Sequence, residues 1–175
     1  MSTQHNVFLV GPMGSGKTAV GRQLARKLGL VFVDADAEIE ERTGVDIPYI
    51  FEKEGEAGFR RREREVIEEL TAREGLVLAT GGGTVLDPHN RDRLRARGRV
   101  VYLRTSVEQQ LQRTRRSENR PLLKSGNPRA TLESLMTARS PLYSAIAEFT
   151  VDTDGRRVRT VVEEIVRHLE QPGTA

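Results

Sequence analysis

Short apolar runs and helix-spaced apolar positions alternate along the whole chain. Val7–Val10, Val31–Val33, Leu76–Ala79, Val100–Leu103 and Phe149–Val151 are brief and mostly aliphatic, a pattern that predicts five buried strands. Between them, Val20, Leu24 and Leu28 mark one helical face, and Val66, Ile67 and Leu70 mark another. The clearest helix is the last, where Val158, Val161, Val162, Ile165, Val166 and Leu169 keep the period of about 3.6 residues. Strand–helix alternation of this kind predicts an α/β fold, with a parallel sheet covered by helices on both faces. Ligands of such sheets lie beyond the carboxyl ends of the strands. The chemistry is therefore to be sought in the residues just beyond each strand.

After the first run comes Gly11-Pro12-Met13-Gly14-Ser15-Gly16-Lys17-Thr18, a complete Walker A pattern set between a strand and an amphipathic helix. Its glycines let successive backbone N–H groups turn toward phosphate oxygens, and the helix N-terminus adds the positive end of its dipole. Lys17 is expected to reach the β- and γ-phosphates of a nucleoside triphosphate, and Thr18 to ligate Mg²⁺ through its hydroxyl.

P-loop enzymes usually carry an acid at the end of a second apolar strand. Leu76–Ala79 has none; it runs into Thr80-Gly81-Gly82-Gly83. The acids come after Val31–Val33 instead, as Asp34-Ala35-Asp36. Asp36 precedes a helical segment and is the more natural N-cap of the two, which leaves Asp34 for the metal. The three glycines read either as a place where a ligand or a neighbouring backbone approaches closely, or as a flexible turn.

Composition narrows the function classes. The chain has 175 residues, which suits one compact domain, and no cysteine, which excludes disulfides, thiolate catalysis and cysteine-ligated zinc. Of 28 basic residues 24 are arginine, yet 25 acids leave a net charge of only +3. Arg91, Arg93, Arg95, Arg97 and Arg99 are two apart, so on a helix they fall on opposite sides and form no single stripe for nucleic acid. Aromatic residues for base stacking are few, at 5%. No basic run leads into an apolar stretch at the N-terminus, and no apolar segment is long enough for a membrane span. The expectation is a cytoplasmic monomer without a nucleic-acid or membrane partner.

Several further motifs occur in order with the P-loop: Asp34-x-Asp36, Phe59-Arg60-x-x-Glu63, Gly81-Gly82-Gly83, Arg120-Pro121-Leu122-Leu123 and Arg139-x-Pro141-Leu142-Tyr143. Together they closely resemble the shikimate kinase family, from about Val7 to Leu169. The resemblance implies a P-loop kinase fold in a single kinase domain over residues 1–175, with a five-stranded parallel sheet of order 2-3-1-4-5. It implies a P-loop at 11–18, a substrate-binding region at about 34–63 and a mobile lid at about 113–127. The implied reaction moves the ATP γ-phosphoryl group to the 3-hydroxyl of shikimate, a step of aromatic amino-acid precursor synthesis.

Carried over by motif, Asp34 resembles the magnesium-side acid and Asp36 the acid that meets the shikimate hydroxyls, as base or orienting group. Arg60 and Arg139 resemble the pair that binds the shikimate carboxylate, with Gly82 and Gly83 offering backbone contacts. The nucleotide set is Gly14, Ser15, Gly16, Lys17, Thr18 and Ala19, with Arg113 against adenine and Arg120 on the lid facing the phosphates. Lys17, Asp36 and Arg120 are the implied catalytic residues, and residues 152–157 lie where the family contacts adenine.

The chemistry suits those roles. Planar guanidinium groups match a carboxylate, and Glu63, one turn beyond Arg60, is placed to orient it. Arg60 nonetheless begins a charged run, 60–65, that by spacing alone reads as a solvated helix face. The basic, weakly apolar stretch from Arg113 to Pro128 reads as a surface loop suited to closing over ATP. Phe51 and Phe59 belong either to the pocket or to the core, and the other 20 arginines read as solvated surface. The rival enzymes are a gluconate kinase or a nucleoside-monophosphate kinase, which share the P-loop and lid.

Overall fold

The structure, a computed structural model, describes residues 5–114 and 126–171. Its elements in chain order are β1 (Asn6–Val10), α1 (Lys17–Leu28), β2 (Val31–Asp34), α2 (Ala35–Thr43), α3 (Ile47–Thr71) and β3 (Leu76–Ala79). A short 3₁₀ turn at Thr84–Leu86 leads to α4 (Pro88–Arg97), β4 (Gly98–Arg104), α5 (Val107–Thr114), α6 (Pro128–Ile146), β5 (Phe149–Asp152) and α7 (Val158–Glu170). All five expected strands form, each within two residues of its expected bounds. They make one parallel sheet in the order β2-β3-β1-β4-β5, with Val7 of β1 facing Val77 on one side and Arg99 on the other.

The continuous apolar runs follow from burial on both faces. Successive side chains of a strand point to opposite sides. Phe8, Val10, Leu78, Val100 and Tyr102 therefore pack with Ile39, Ile67, Leu94 and Tyr143 of α2, α3, α4 and α6. Val7, Leu9, Val77, Val101 and Val151 pack with Leu24, Val161 and Ile165 of α1 and α7. Phe8, Leu9, Leu24, Ile67 and Leu78 are all fully enclosed; each such side chain contributes about 1.5–3 kcal/mol. Among the described residues no helix is long and apolar enough to cross a membrane.

Two backbone features aim this scaffold at its carboxyl edge. Gly16, the residue before α1, has φ 90°, and no side chain caps the helix. The first N–H groups of α1 are thus left to a ligand or to water. Gly55, with φ 72°, breaks α3 between its first turns and the segment that carries Phe59, Arg60 and Glu63.

Several arginines read as solvated surface prove to be tertiary ties. Arg99 pairs with Glu148 at 2.7 Å and donates to the Leu169 carbonyl at 2.7 Å, fastening the end of α7 to β4. Glu68 of α3 meets His89 at 2.7 Å, Arg93 at 2.8 Å and Arg97 at 3.5 Å, all from α4. Arg91, on another side of α4, donates to the Val85 carbonyl at 2.7 Å. On α4 the two-residue spacing splits Arg91 from Arg93 and Arg97, as expected, whereas Arg99 falls in β4 rather than on the helix; their partners lie elsewhere in the chain.

Candidate active site

The strand order places β1 between β3 and β4, so the loops after these three strands meet at one edge. There an open cleft of about 510 Å³ is lined by the P-loop, by Asp34, Asp36 and Glu40, by Thr80, Gly81 and Gly82, and by Arg22 and Arg113. Its size suits a small-molecule site.

The nucleotide side begins with Lys17. Its Nζ donates to the carbonyls of Gly11 at 2.7 Å and Pro12 at 2.9 Å and lies 3.4 Å from Ser15 Oγ. This cation is held over the loop whose N–H groups would meet phosphate. Gly14, Gly16, Thr18 and Ala19 line the cleft beside it, whereas Ser15 is buried beneath the loop. Two side chains of α5 hold the loop from the opposite side. Gln110 donates to the Met13 carbonyl at 2.9 Å, and Arg113 donates to that of Gly14 at 2.9 Å. Arg113 also reaches the Thr153 carbonyl at 3.5 Å and so bridges the P-loop to the segment after β5. Asp154 fixes that segment by accepting from Thr105 Oγ1 at 2.6 Å and from the Ser106 N–H at 3.0 Å.

The two acids divide their work differently from the expectation. Asp34, not Asp36, caps α2: its Oδ1 accepts from the Ala37 N–H at 3.0 Å. Its Oδ2 accepts from Thr18 Oγ1 at 3.0 Å. Asp34 is at once the last residue of β2 and the cap of α2, which the apolar pattern ending at Val33 did not reveal. Asp36 sits in the first turn of α2 and faces the glycines. The Thr18–Asp34 pair offers two hard oxygen donors, the kind Mg²⁺ takes while keeping most of its waters. Among the described residues no group of three or more His, Cys, Asp or Glu could hold a metal by itself, so the donor set fits an ion shared with nucleotide phosphates.

The acceptor side is built on Gly81-Gly82-Gly83. None of the three has a positive φ, so turn geometry does not explain them. Close approach does at Gly81 and Gly83, where the approaching groups are side chains; at Gly82 the neighbours are the Met13 backbone nitrogen and Arg139. A methyl on Gly81 would lie 2.9 Å from Asp36 Oδ1 and 3.1 Å from Glu63 Oε2; one on Gly82, 3.5 Å from Arg139 Nη1; one on Gly83 would overlap the Arg60 guanidinium. Four charged side chains from α2, α3 and α6 thus converge on a strip that has no side chains of its own.

Their polar contacts are ordered. Arg60 Nη1 donates to Glu63 Oε1 at 2.9 Å, and Glu63 Oε2 accepts from Thr84 Oγ1 at 3.0 Å. Glu63 is only 1% exposed, so the expected orienting contact is a buried one. Arg139 is 5% exposed. Burial, with Arg60 close by, pulls its guanidinium below the ordinary arginine range, while Tyr143 counters part of this. A buried guanidinium with a second, half-buried one near it suits an anion held between them. Phe59 belongs to the core, with Phe51 packed on it at 5.0 Å between ring centroids. Arg120 and nearly all of the expected lid, about 113–127, lie outside the described residues.

Sequence patterns gave no role to Thr84, Gln110, Asp154 or the Tyr143 hydroxyl. Each acts on a partner at least 20 residues away, so local spacing carried no signal for it.

A P-loop at the edge of a parallel sheet, with a hydroxyl–carboxylate pair beside it and one buried and one half-buried arginine at the glycine strip, defines a small-molecule phosphotransferase. The shikimate kinase family model matches residues 13–170. Relatives named shikimate kinase include one from Halorhodospira halophila, 60% identical over 168 residues and covering 96% of this chain and 95% of its own. Another, from Methylococcus capsulatus, is 56% identical over 174 residues, covering 99% and 97%. The solved shikimate kinase from Acinetobacter baumannii in complex with shikimate is similar at TM-score 0.94 and 53% identity, covering 96% of this chain and 94% of its own. The chain belongs to the shikimate kinase family.

Proposed function

We propose that this protein transfers the γ-phosphoryl group of ATP to the 3-hydroxyl of shikimate, giving shikimate 3-phosphate and ADP. The observation that carries the reading is the convergence of Asp36, Arg60, Glu63 and Arg139 on the glycine strip beside the P-loop. Shikimate has one carboxylate and three ring hydroxyls. Arg60 and Arg139 match the carboxylate, Gly82 and Gly83 offer backbone contacts along the ring, and Asp36 accepts from the reacting hydroxyl.

Phosphoryl transfer asks for positioning and charge neutralisation more than for covalent chemistry. The P-loop N–H groups and the uncapped start of α1 take the phosphates, and Lys17 exchanges its Gly11 and Pro12 carbonyl partners for phosphate oxygens. Thr18 and Asp34 would hold Mg²⁺, whose chemistry here is to offset charge on the β- and γ-oxygens. Arg113 lies where it could flank adenine, together with residues 152–157, and Arg120 is assigned to the γ-phosphate by its motif. Asp36 chiefly orients the hydroxyl and accepts its proton late, as a loose transition state requires.

The working unit is proposed to be a cytoplasmic monomer. Pairing of Arg91, Arg93, Arg97 and Arg99 within the chain supports the absence of a nucleic-acid partner. The test is ADP release with shikimate, gluconate, a nucleoside monophosphate or no acceptor. Shikimate should raise the rate far above the others; an equal or higher rate with gluconate or a nucleoside monophosphate would overturn the assignment.

A further inference from the structure

The glycine strip has to be held from behind, because it has no side chains with which to anchor itself. The group that holds it is Tyr143. This residue is fully buried on α6, and its ring packs against Tyr102 with centroids 5.0 Å apart. Its hydroxyl donates to the Gly82 carbonyl at 2.5 Å. Arg139 lies one turn earlier on the same helix, which places its guanidinium near the same hydroxyl. Gly82 in turn lies between Arg139 and the P-loop: a methyl there would be in ordinary contact, 3.5 Å from Arg139 Nη1 and 3.4 Å from the Met13 nitrogen.

One phenol oxygen therefore binds the backbone strip beside the arginine. A peptide unit is planar, so fixing the Gly82 carbonyl also fixes the direction of the Gly83 N–H at the other end of that unit. Burial pushes the Tyr143 hydroxyl above its ordinary range, which keeps the proton on the oxygen at any working pH.

We propose that Tyr143 is a positioning residue for the acceptor: its hydroxyl locks the 82–83 peptide beside Arg139 into one rigid unit that receives shikimate. The proposal rests on the shikimate reading and deepens it. Tyr143 acts through Gly82, and the signature of such a role is selective weakening of the acceptor with the nucleotide spared.

The test compares the wild type with Tyr143→Phe and Tyr102→Phe. Tyr102 is the matched control: it is equally buried in the same aromatic pair, and its hydroxyl has no hydrogen-bond partner among the described residues. Steady-state kinetics with each substrate varied, shikimate binding by calorimetry and Tm are measured for all three. Loss of one buried hydrogen bond is worth about tenfold in an equilibrium constant. Tyr143→Phe should raise the KM and Kd for shikimate by about that factor with the KM for ATP within twofold, while Tyr102→Phe matches wild type. The proposal is overturned by a shikimate Kd within twofold of wild type in Tyr143→Phe. It is equally overturned by a parallel rise of both KM values, by the same behaviour in Tyr102→Phe, or by a Tyr143→Phe protein too unstable to fold at 25 °C. A wild type that fails to turn over shikimate would fell the functional reading itself, before any variant is compared.

Discussion

Asp34 is the residue at which structure and chemistry can be separated most cleanly. It has two jobs, because Oδ1 caps α2 through the Ala37 N–H and Oδ2 accepts from Thr18. Asparagine is as good an N-cap as aspartate, whereas replacement by alanine costs about 1 kcal/mol. A hydrogen bond such as that from Thr18 adds about 1 kcal/mol. Asp34→Ala should therefore lose about 2 kcal/mol, and a chain of this length loses about 2–4 °C of Tm per kcal/mol. The expected fall is about 4–8 °C. Asp34→Asn keeps the acceptor for Ala37, and the Thr18 hydroxyl can rotate to accept from the new amide. It forfeits only the interaction of a negative charge with the helix dipole, about 0.5 kcal/mol, so Tm should fall by about 1–2 °C. Activity should not follow stability. Both variants lack the charge on the metal side, and changes to metal-orienting groups typically cost about 10–100-fold. The assay pairs thermal unfolding with shikimate-dependent ADP release across a Mg²⁺ titration. Asp34→Asn should be nearly as stable as wild type yet slow, with its half-saturating Mg²⁺ concentration raised. An Asp34→Asn enzyme with normal kcat and normal Mg²⁺ response would refute the metal-side role. A Tm as low as that of Asp34→Ala would refute the capping argument.

Three other expectations rest on the same geometry. Gly83→Ala puts a methyl into the Arg60 guanidinium, the end of a flexible side chain that can swing aside at little cost to the fold but then leaves its place at the strip; the KM for shikimate should rise at least tenfold with that for ATP within twofold, and an unchanged pair of values would disprove the steric account. Glu63→Ala takes from Arg60 its buried partner, leaving it Glu56 at 3.3 Å, and leaves the Thr84 hydroxyl without its acceptor; the loss should be about 2 kcal/mol, as for a buried hydrogen-bonding group left unmatched, and Glu63→Gln should lose less than half of that, so equal Tm losses would argue against the charge. Glu68 is drawn below the ordinary glutamate range by its hydrogen bond with His89 and by Arg93 and Arg97. A carboxylate shifted downward adds stability above its unfolded value, about 4.3, and that contribution fades as pH falls through the lower folded value. The Tm difference between wild type and Glu68→Gln should be full at neutral pH and close below about pH 4; a gap that persists unchanged to pH 3 would contradict the linkage.

How much of the molecule is legible in its sequence depends on the range of each interaction. The strands are legible because burial on both faces leaves unbroken apolar runs such as Val7–Val10, and α7 because its apolar residues keep helical spacing. The P-loop is legible because its glycines, lysine and threonine act within one turn. Asp34 and Asp36 are legible as a pair but not in their division of labour. Which of them caps α2 depends on where the strand stops, and a cap acceptor two residues earlier leaves the apolar pattern unchanged. The arginines lie at the other extreme. Arg99 finds Glu148 49 residues away and Arg97 finds the Glu68 carbonyl 29 residues away, so composition shows the surplus and tertiary structure alone shows its partners.

The glycine strip shows how the two ranges combine. Three glycines in a row cost stability locally, since glycine loses the most chain entropy on folding, and no positive φ here demands them. Their justification is entirely non-local. With no Cβ at these positions, Asp36, Glu63 and Arg60 come closer to the backbone than a side chain there would allow, with Arg139 beside Gly82. Bringing two acids and two arginines into one partly desolvated site is itself costly unless the charges are paired and hydrogen-bonded. Glu63 to Arg60 and Thr84, and Tyr143 to Gly82, supply such bonds. An arrangement already stabilised without substrate has little left to reorganise when shikimate arrives, so the binding energy of the carboxylate can go into fixing the 3-hydroxyl against the phosphoryl group. Any methyl added to the strip should therefore weaken acceptor binding before it weakens the fold.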